Sequence, residues 1–553
     1  MTNEAFDLEA PHAAGKLHDV TSTAYFCSPV VPSQKVTHNH SWRRRLIAGL
    51  LALVVCLAVV FVSVAVVRKI SSKHKINYIR CDVRDDIVGG QYPLLCGNTI
   101  SKGFQRPSNK QGIHDQRFYD DAQMRPTDSA DLADARYEAY MQDIQPGVRR
   151  YNVFWHAFEG SGVLPSQMPL SCAPGYQQVP ASQDELQSKG YNRYHCYASS
   201  QIQLFEAYLA LDATYSIQSC ATIWDIPDPP FRNPSCGGQV INNQTNKGGC
   251  IPQDQDVMLD FQDFVNFVAE HYNSDTGGRF THYIIWNEVA NGDWFDPSPM
   301  IDAKQAISQQ DTDLWLDTYA LMVRLAHDAI QRHSKAPTML YISLDQIWEK
   351  PVGACPPYLP GLQHCHIGSL NVVRGMWERL GLSIDWSLAI HPYGNPLQAD
   401  WPTYFHFADI NRIAAFQMSM LQKSGVADPQ RWPQAMMAAT EQGWPAVTKA
   451  QQMQAASYIC TAHDIVVSSP YALFVTHNDF QAPFTEDRTG LVPRWTGRTL
   501  NNTDRMQSTT FAAYSASHPD VWETDPSNFC CAMHQRGCPT SDGKAKAPTY
   551  ASN

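Results

Sequence analysis

Residues 280–294 read FTHYIIWNEVANGDW. The first seven are rich in aromatic and β-branched side chains, which is the signature of a strand. Asn, Glu, Gly and Asp then follow as a loop. A helix-length segment comes next, at 312–333, with Asp311 as its N-cap. The same β-then-α unit recurs in both directions. Upstream lie the strands 149–155 (RRYNVFW) and 213–224 (ATYSIQSCATIW). They are followed by a helix at 257–272, whose Leu259, Phe261, Phe264, Phe267 and Val268 form an apolar stripe at helical spacing. Downstream, the strands 338–344, 384–390, 435–440 and 471–476 alternate with helices near 368–380, 409–423, 450–463 and 507–517. Such alternation predicts a parallel sheet with helical crossovers. The number of repeats favours a closed barrel over an open doubly wound sheet. The expected fold is therefore α/β, a (β/α)₈ TIM barrel over 126–525 with loop insertions at 160–195 and 226–252. Its first strand is expected near 98–104.

The barrel is preceded by a single predicted transmembrane helix. Residues 46–67 are 22 in a row without a charge, enough at about 1.5 Å per residue to cross a hydrocarbon core of about 30 Å. Residues 1–45 are polar and aperiodic, as expected of a disordered tail. Residues 68–125 are expected to be a stem and lead-in, and 526–553 a Cys-containing tail. Basic residues flank the apolar run on both sides, so charge does not set its orientation. Cysteines do: thirteen of the 15 follow the run. Several sit in close pairs: Cys81 with Cys96, Cys172 with Cys196, Cys236 with Cys250, Cys355 with Cys365, and Cys530 or Cys531 with Cys538. That pattern suits local disulfides in an oxidising compartment, with one thiol left over. The sequons at Asn243 and Asn501 agree with it. The expected topology is a cytosolic N-terminus and a lumenal or extracellular domain. A net charge of −11 argues against a nucleic-acid partner.

Two carboxylates follow strands: Glu288 after 280–286 and Glu441 after 435–440. In a parallel barrel every strand C-terminus gathers at one face, so the two acids can meet there. Glycosidic cleavage needs such a pair, one acid protonating the leaving oxygen and one attacking the anomeric carbon. The competing reading of either acid alone is a solvated loop residue. With these motifs in place the chain resembles clan A of the glycoside hydrolases. Asn287-Glu288 ends the fourth strand, His391-Pro392-Tyr393 follows the sixth, and Glu441 ends the seventh. The resemblance implies Glu288 as acid/base and Glu441 as nucleophile. It further implies Asn287 on a sugar 2-hydroxyl, Tyr393 as donor to the nucleophile, and His391 in the same subsite. An Arg on the second strand, Arg149 or Arg150, would stand near the nucleophile. Trp155, His156 and Glu159 at the end of an early strand are candidate sugar contacts, with a core Trp and a structural His as the competing reading. His477-Asn478 stands where many members carry a Trp, so Trp444 or Trp495 is left to supply the sugar platform. No cofactor or metal is expected, and the expected partners are an oligo- or polysaccharide and the membrane through 46–67.

Other readings fit less well. Asp311-x-Asp313 and Asp254-x-Asp256 mimic a glycosyltransferase metal motif but fall at predicted helix starts, where acids favour the helix dipole. No His-Glu-x-x-His occurs to suggest a metallohydrolase. A non-catalytic glycan-binding or adhesion protein would not need both Glu residues. A transglycosylase would share the covalent intermediate and differ only in its acceptor.

Overall fold

The computed structural model describes residues 106–115, 146–159, 172–181, 194–227, 232, 236, 239–241, 244–246, 249–398, 401–444 and 449–478, apart from 108, 254, 274–277, 299, 303, 351–354 and 356–363. It also describes Ala513 and Cys530. The apolar run 46–67 and the expected strand near 98–104 lie outside these residues, as do Cys81, Cys96 and Trp495. No helix among the described residues is long and apolar enough to cross a membrane.

The strands, in chain order, are β1 (Gln111–Asp115), β2 (Val148–Phe154), β3 (Tyr176–Pro180), β4 (Tyr194–Ala198), β5 (Gln218–Trp224), β6 (Gln239–Ile241), β7 (Gln244–Asn246), β8 (Phe280–Ile285), β9 (Met339–Leu344), β10 (Ser387–Ile390), β11 (Met437–Ala439) and β12 (Ala472–His477). Eight of them close a barrel in the order β1-β12-β11-β10-β9-β8-β5-β2, every neighbouring pair parallel. The helices Gln255–His271, Gln309–His333, Ser369–Arg379, Ile410–Lys423 and Lys449–Ser468 follow successive barrel strands, from β5 to β11. The two insertions each hold a small antiparallel hairpin, β3–β4 and β6–β7.

Side-chain alternation sorts the core. On β2, Tyr151 and Val153 face outward into the aromatic layer under the helices. Val148 instead packs with Cys220, Ile284, Tyr341, Ala389, Ala438 and Phe474 in a separate cluster that fills the barrel's interior. The free Cys220 is fully buried there, and burial pushes its thiol up to about 12.

Several boundaries depart from expectation. The barrel begins at β1, inside the segment read as a stem. Five residues, QGIHD, carry little apolar signal. A Cβ on Gly112 would come within 2.8 Å of both Thr476 Cγ2 and Val148 O, so close approach of the neighbouring strands excludes the bulky residues that would have marked a strand. Residues 213–217, read as strand, instead finish the helix Ser199–Thr214 and turn through Ser216 at φ 57°. The helix at 309–333 starts earlier than expected. Ser308 is its N-cap, and Asp311 closes a capping box with it.

The expected disulfides Cys172–Cys196, Cys236–Cys250 and Cys355–Cys365 form. Cys530 pairs instead with Cys460, 70 residues away on the helix Lys449–Ser468, so a part of the chain read as a tail is bound to the barrel wall. Closing a loop of that length removes about 4 kcal/mol of unfolded-chain entropy. We expect Cys460→Ser to lower stability by about 2–4 kcal/mol in denaturant titration. A midpoint equal to that of the unaltered protein would refute the cross-link.

Candidate active site

The turn after β8 carries Glu288 on unusual backbone. Trp286 and Glu288 have φ of 64° and 41°, a left-handed region that costs bulky residues about 1–3 kcal/mol each. Hydrogen bonds hold the turn. Trp286 N–H donates to Ile223 O (2.9 Å), Glu288 N–H to Ser343 Oγ (3.0 Å) and Val289 N–H to Ser343 O (3.2 Å). The result is a carboxyl turned across the mouth rather than along the strand.

Glu288 Oε1 is hydrogen-bonded to His391 Nδ1 at 2.8 Å, and the same nitrogen lies 3.7 Å from Glu441 Oε2. One oxygen of each carboxyl and this nitrogen all lie within 4.8 Å of one another. Glu441 is surrounded by donors. Arg150 Nη1 donates to its Oε2 (3.0 Å) and to Thr440 O (2.7 Å), while Arg150 Nε donates to Thr222 Oγ1 (2.7 Å). Tyr393 O–H and Asn478 Nδ2 (3.3 Å) both donate to Oε1. His114 on β1 donates from Nδ1 to Asn478 Oδ1 (2.6 Å) and so fixes which way that amide points.

The two carboxyls are driven apart in acidity. Burial raises Glu288, the negative charges of Asp345 and Glu441 add to this, and His391 only partly opposes it. Burial also pushes Glu441 up, but the positive charges of His391, Arg150 and His114, with the Tyr393 hydrogen bond, outweigh it and hold Glu441 at about 2. Burial, with the two carboxylates nearby, keeps Tyr393 well above the usual phenol range, so it stays a donor. Glu288, His391 and Glu441 have the spacing of a cation site. The Arg150 guanidinium on Glu441 already supplies the positive charge that a metal would bring there, and repels one.

The alternation of β2 decides between the two arginines. Arg150 points into the barrel and reaches Glu441. Arg149 points out and pairs with Asp212 at 2.9 Å beneath the helix Ser199–Thr214. Asn287 is 6% exposed and its Oδ1 has no hydrogen-bond partner.

Two expected sugar contacts are corrected. Trp155 and Glu159 are both fully buried, and Trp155 Nε1 donates to Glu159 Oε2 (2.8 Å). The Trp155 ring stacks on Phe264, and Glu159 Oε1 meets His195 Nδ1 at 2.7 Å. The single helical turn Trp155–Phe158 that follows β2 rotates these side chains into the core. Only His156 of that group faces solvent, with a side chain 48% exposed and 2.9 Å from Asp225. Trp444 is 4% exposed and donates to Gly394 O. His477 is buried, held by Gln442 Nε2 at 2.8 Å, with its ring 6.3 Å from that of Trp444.

Sequence reasoning missed His114 and Asp345. Asp345 directly follows β9, as Glu288 follows the turn of β8, so the strand-end rule that found one acid applies equally to the other. His114 lay in a strand with too few apolar residues to be noticed.

A family of unknown function (DUF5722) matches residues 252–491. No curated protein matches the sequence. Among solved structures, the chain is similar to the GH39 enzyme from Xanthomonas axonopodis pv. citri, at 13% identity and a TM-score of 0.42 over 74% of this chain; it spans 65% of that enzyme's length. It is similar to SrfJ from Salmonella typhimurium at 12% identity and a TM-score of 0.41, over 74% of each chain. It is also similar to the family 1 β-glucosidase from Thermotoga maritima at 10% identity and a TM-score of 0.40, over 74% of this chain and 96% of that one. Families 39 and 1 both belong to clan A. At these scores the likeness adds nothing to the chemistry that the site's own geometry supports.

Because Glu441 titrates below its ordinary value of 4.5, its contribution to stability is present above that value and is lost as pH falls toward about 2. Arg150→Met should move the Glu441 titration upward by about 1–3 units, read by carboxyl-carbon NMR. A titration left at its original position would show that Arg150 does not hold the carboxylate.

Proposed function

We propose that the protein is a retaining glycoside hydrolase, with Glu441 as nucleophile and Glu288 as general acid/base. One observation carries this reading: two carboxyls of opposite acidity shift meet within 4.8 Å at the mouth of a parallel barrel. Retaining enzymes separate their carboxyls by about 5–5.5 Å, too little for a water between acid and sugar.

In this mechanism the Glu441 carboxylate attacks the anomeric carbon, held in place by Arg150 on Oε2 and by Tyr393 and Asn478 on Oε1. Glu288, kept protonated by burial and nearby negative charge, gives its proton to the departing oxygen. Once Glu441 is esterified its charge is gone, and the electrostatic push that raised Glu288 weakens. Glu288 can then take a proton from the incoming water and release the sugar. The unpartnered Asn287 Oδ1 is available to accept from a sugar hydroxyl. His391, on both carboxyls, lines the same subsite, and the buried His477 and Trp444 are further candidates for it. The substrate is an oligo- or polysaccharide, and His156 is the exposed polar group on the β2 side of the mouth. The charge-free run 46–67 supports anchorage in a membrane, with the barrel on the oxidising side where its disulfides persist.

Glu441→Gln should leave no measurable turnover. Glu288→Ala should lose about 10²–10⁴-fold on poor leaving groups, far less on aryl glycosides with good ones, and recover with added azide. The first product seen by proton NMR should keep the substrate's anomeric configuration; inversion would exclude the double displacement. The rate should fall as pH rises through the raised Glu288 value, and Glu288→Gln should remove that limb. Separately, the full chain should resist alkaline carbonate extraction from membranes, and deletion of 46–67 should release it. Release of the full chain would rule out the anchor.

A further inference from the structure

Tyr393 reaches Glu441 from a short loop after β10, and two buried side chains hold that loop by its backbone. His391 N–H donates to Leu344 O (3.1 Å) at the end of β9, and Tyr393 N–H donates back to His391 O (3.0 Å). The next two carbonyls are each taken by a side chain. His406 Nδ1–H donates to Tyr393 O (2.8 Å), and Trp444 Nε1–H donates to Gly394 O. A carbonyl only accepts, so the ring proton of His406 is on Nδ1. Gly394 turns the chain at φ 81°, and a Cβ there would lie 3.3 Å from His406 Cε1. Tyr393 is therefore held at its own N–H and its own carbonyl, which sets the direction of its Cα–Cβ bond.

Both donors are fixed from behind. His406 is 3% exposed; its backbone N–H donates to Asp409 Oδ2 (3.1 Å), and Asp409 Oδ1 accepts from Arg412 Nη1 (2.6 Å). Trp444 is 4% exposed, and its ring meets those of Phe407, Tyr458 and His477 at centroid distances of 6.3, 5.6 and 6.3 Å. With these neighbours around it, little of the indole is left as a face for a sugar. What it gives the mouth is its N–H.

We propose that Trp444 and His406 are positioning residues for the nucleophile, acting through the Tyr393 backbone to keep its hydroxyl on Glu441. This rests on the reading of Glu441 as nucleophile, and it gives Trp444 a hydrogen-bonding role at the subsite in place of a stacking one. The two roles depend on different atoms: stacking needs the ring, and holding the loop needs Nε1–H. Burial pushes Glu441 up, while the positive charges of His391, Arg150 and His114, with the Tyr393 hydroxyl, hold it at about 2. Loosening the loop weakens the hydroxyl and leaves the three cations in place. Glu441 then moves up toward its ordinary value of 4.5.

The test is the Glu441 titration of the full chain, read by carboxyl-carbon NMR, which needs no substrate. Tyr393→Phe should raise it by about 1–2 units, typical of a lost hydrogen bond to a charged group. Trp444→Phe keeps an aromatic ring and loses the N–H, and should raise it by about 0.5–1 unit. In the Tyr393→Phe background the same substitution should add nothing, because the hydroxyl it acts through is gone. His406→Ala should behave like Trp444→Phe, whereas His406→Asn, whose amide can still donate, should restore the original value. Thermal melting of each variant checks that it is folded where it is titrated. An unmoved titration in Trp444→Phe would overturn the proposal, as would equal upward shifts with and without the Tyr393 hydroxyl. On substrate, the loss in Trp444→Phe should fall on kcat; a rise in KM alone would overturn it in favour of stacking. Absence of turnover in the unaltered chain would sink the hydrolase reading alone, since the titration is read without substrate.

Discussion

The ladder that joins β1 to β12 on one side and to β2 on the other closes the sheet, and the geometry of the mouth depends on that closure. An open sheet would leave the first and last strands apart. Here they are neighbours, so His114 at the end of β1 can hold Asn478 after β12, and Asn478 can hold Glu441 after β11. The same ring leaves only β1 and β12 between β2 and β11, and Arg150 reaches across the interior to Glu441. A glycine at position 112 permits the seam, because any side chain there would strike β12 and β2.

Within this ring, burial by itself treats the two glutamates alike, since it raises both. The difference comes from what each side of the barrel contributes. The β1, β2 and β12 side supplies cations and amide donors to Glu441. The β9 side supplies Asp345, another negative charge, to Glu288. His391 stands between the two. A group of like residues thereby acquires unlike chemistry from strand position alone.

The strand order was legible because seven of the barrel strands fall within strand-like stretches that alternate with helix-length segments. That order was enough to bring Glu288, Glu441, His391 and Tyr393 to one face. β1 was not legible, because its identity comes from its neighbours rather than from its side chains. Trp155 and Glu159 misled for the opposite reason. They follow a strand end as binding residues do, yet a single turn of helix, invisible to periodicity over four residues, points them inward. Arg149 and Arg150 could not be separated without the strand's phase, which fixes which of two adjacent side chains enters the barrel. The Cys460–Cys530 link escaped a search for nearby partners because covalent pairing follows distance in space, and α/β folds bring remote helices and chain ends together.

Cys220 adds a consequence for how the chain keeps its cross-links. Thiol–disulfide exchange needs a thiolate. The thiol of Cys220 is pushed to about 12 and fully enclosed by the barrel's inner side chains, so at neutral pH almost none of it is nucleophilic. Once the sheet has closed around it, this sulfur can no longer shuffle the pairings at 172–196, 236–250, 355–365 and 460–530. Barrel closure therefore also acts as a proofreading deadline for this residue: Cys220 can repair mispaired isomers only before that moment.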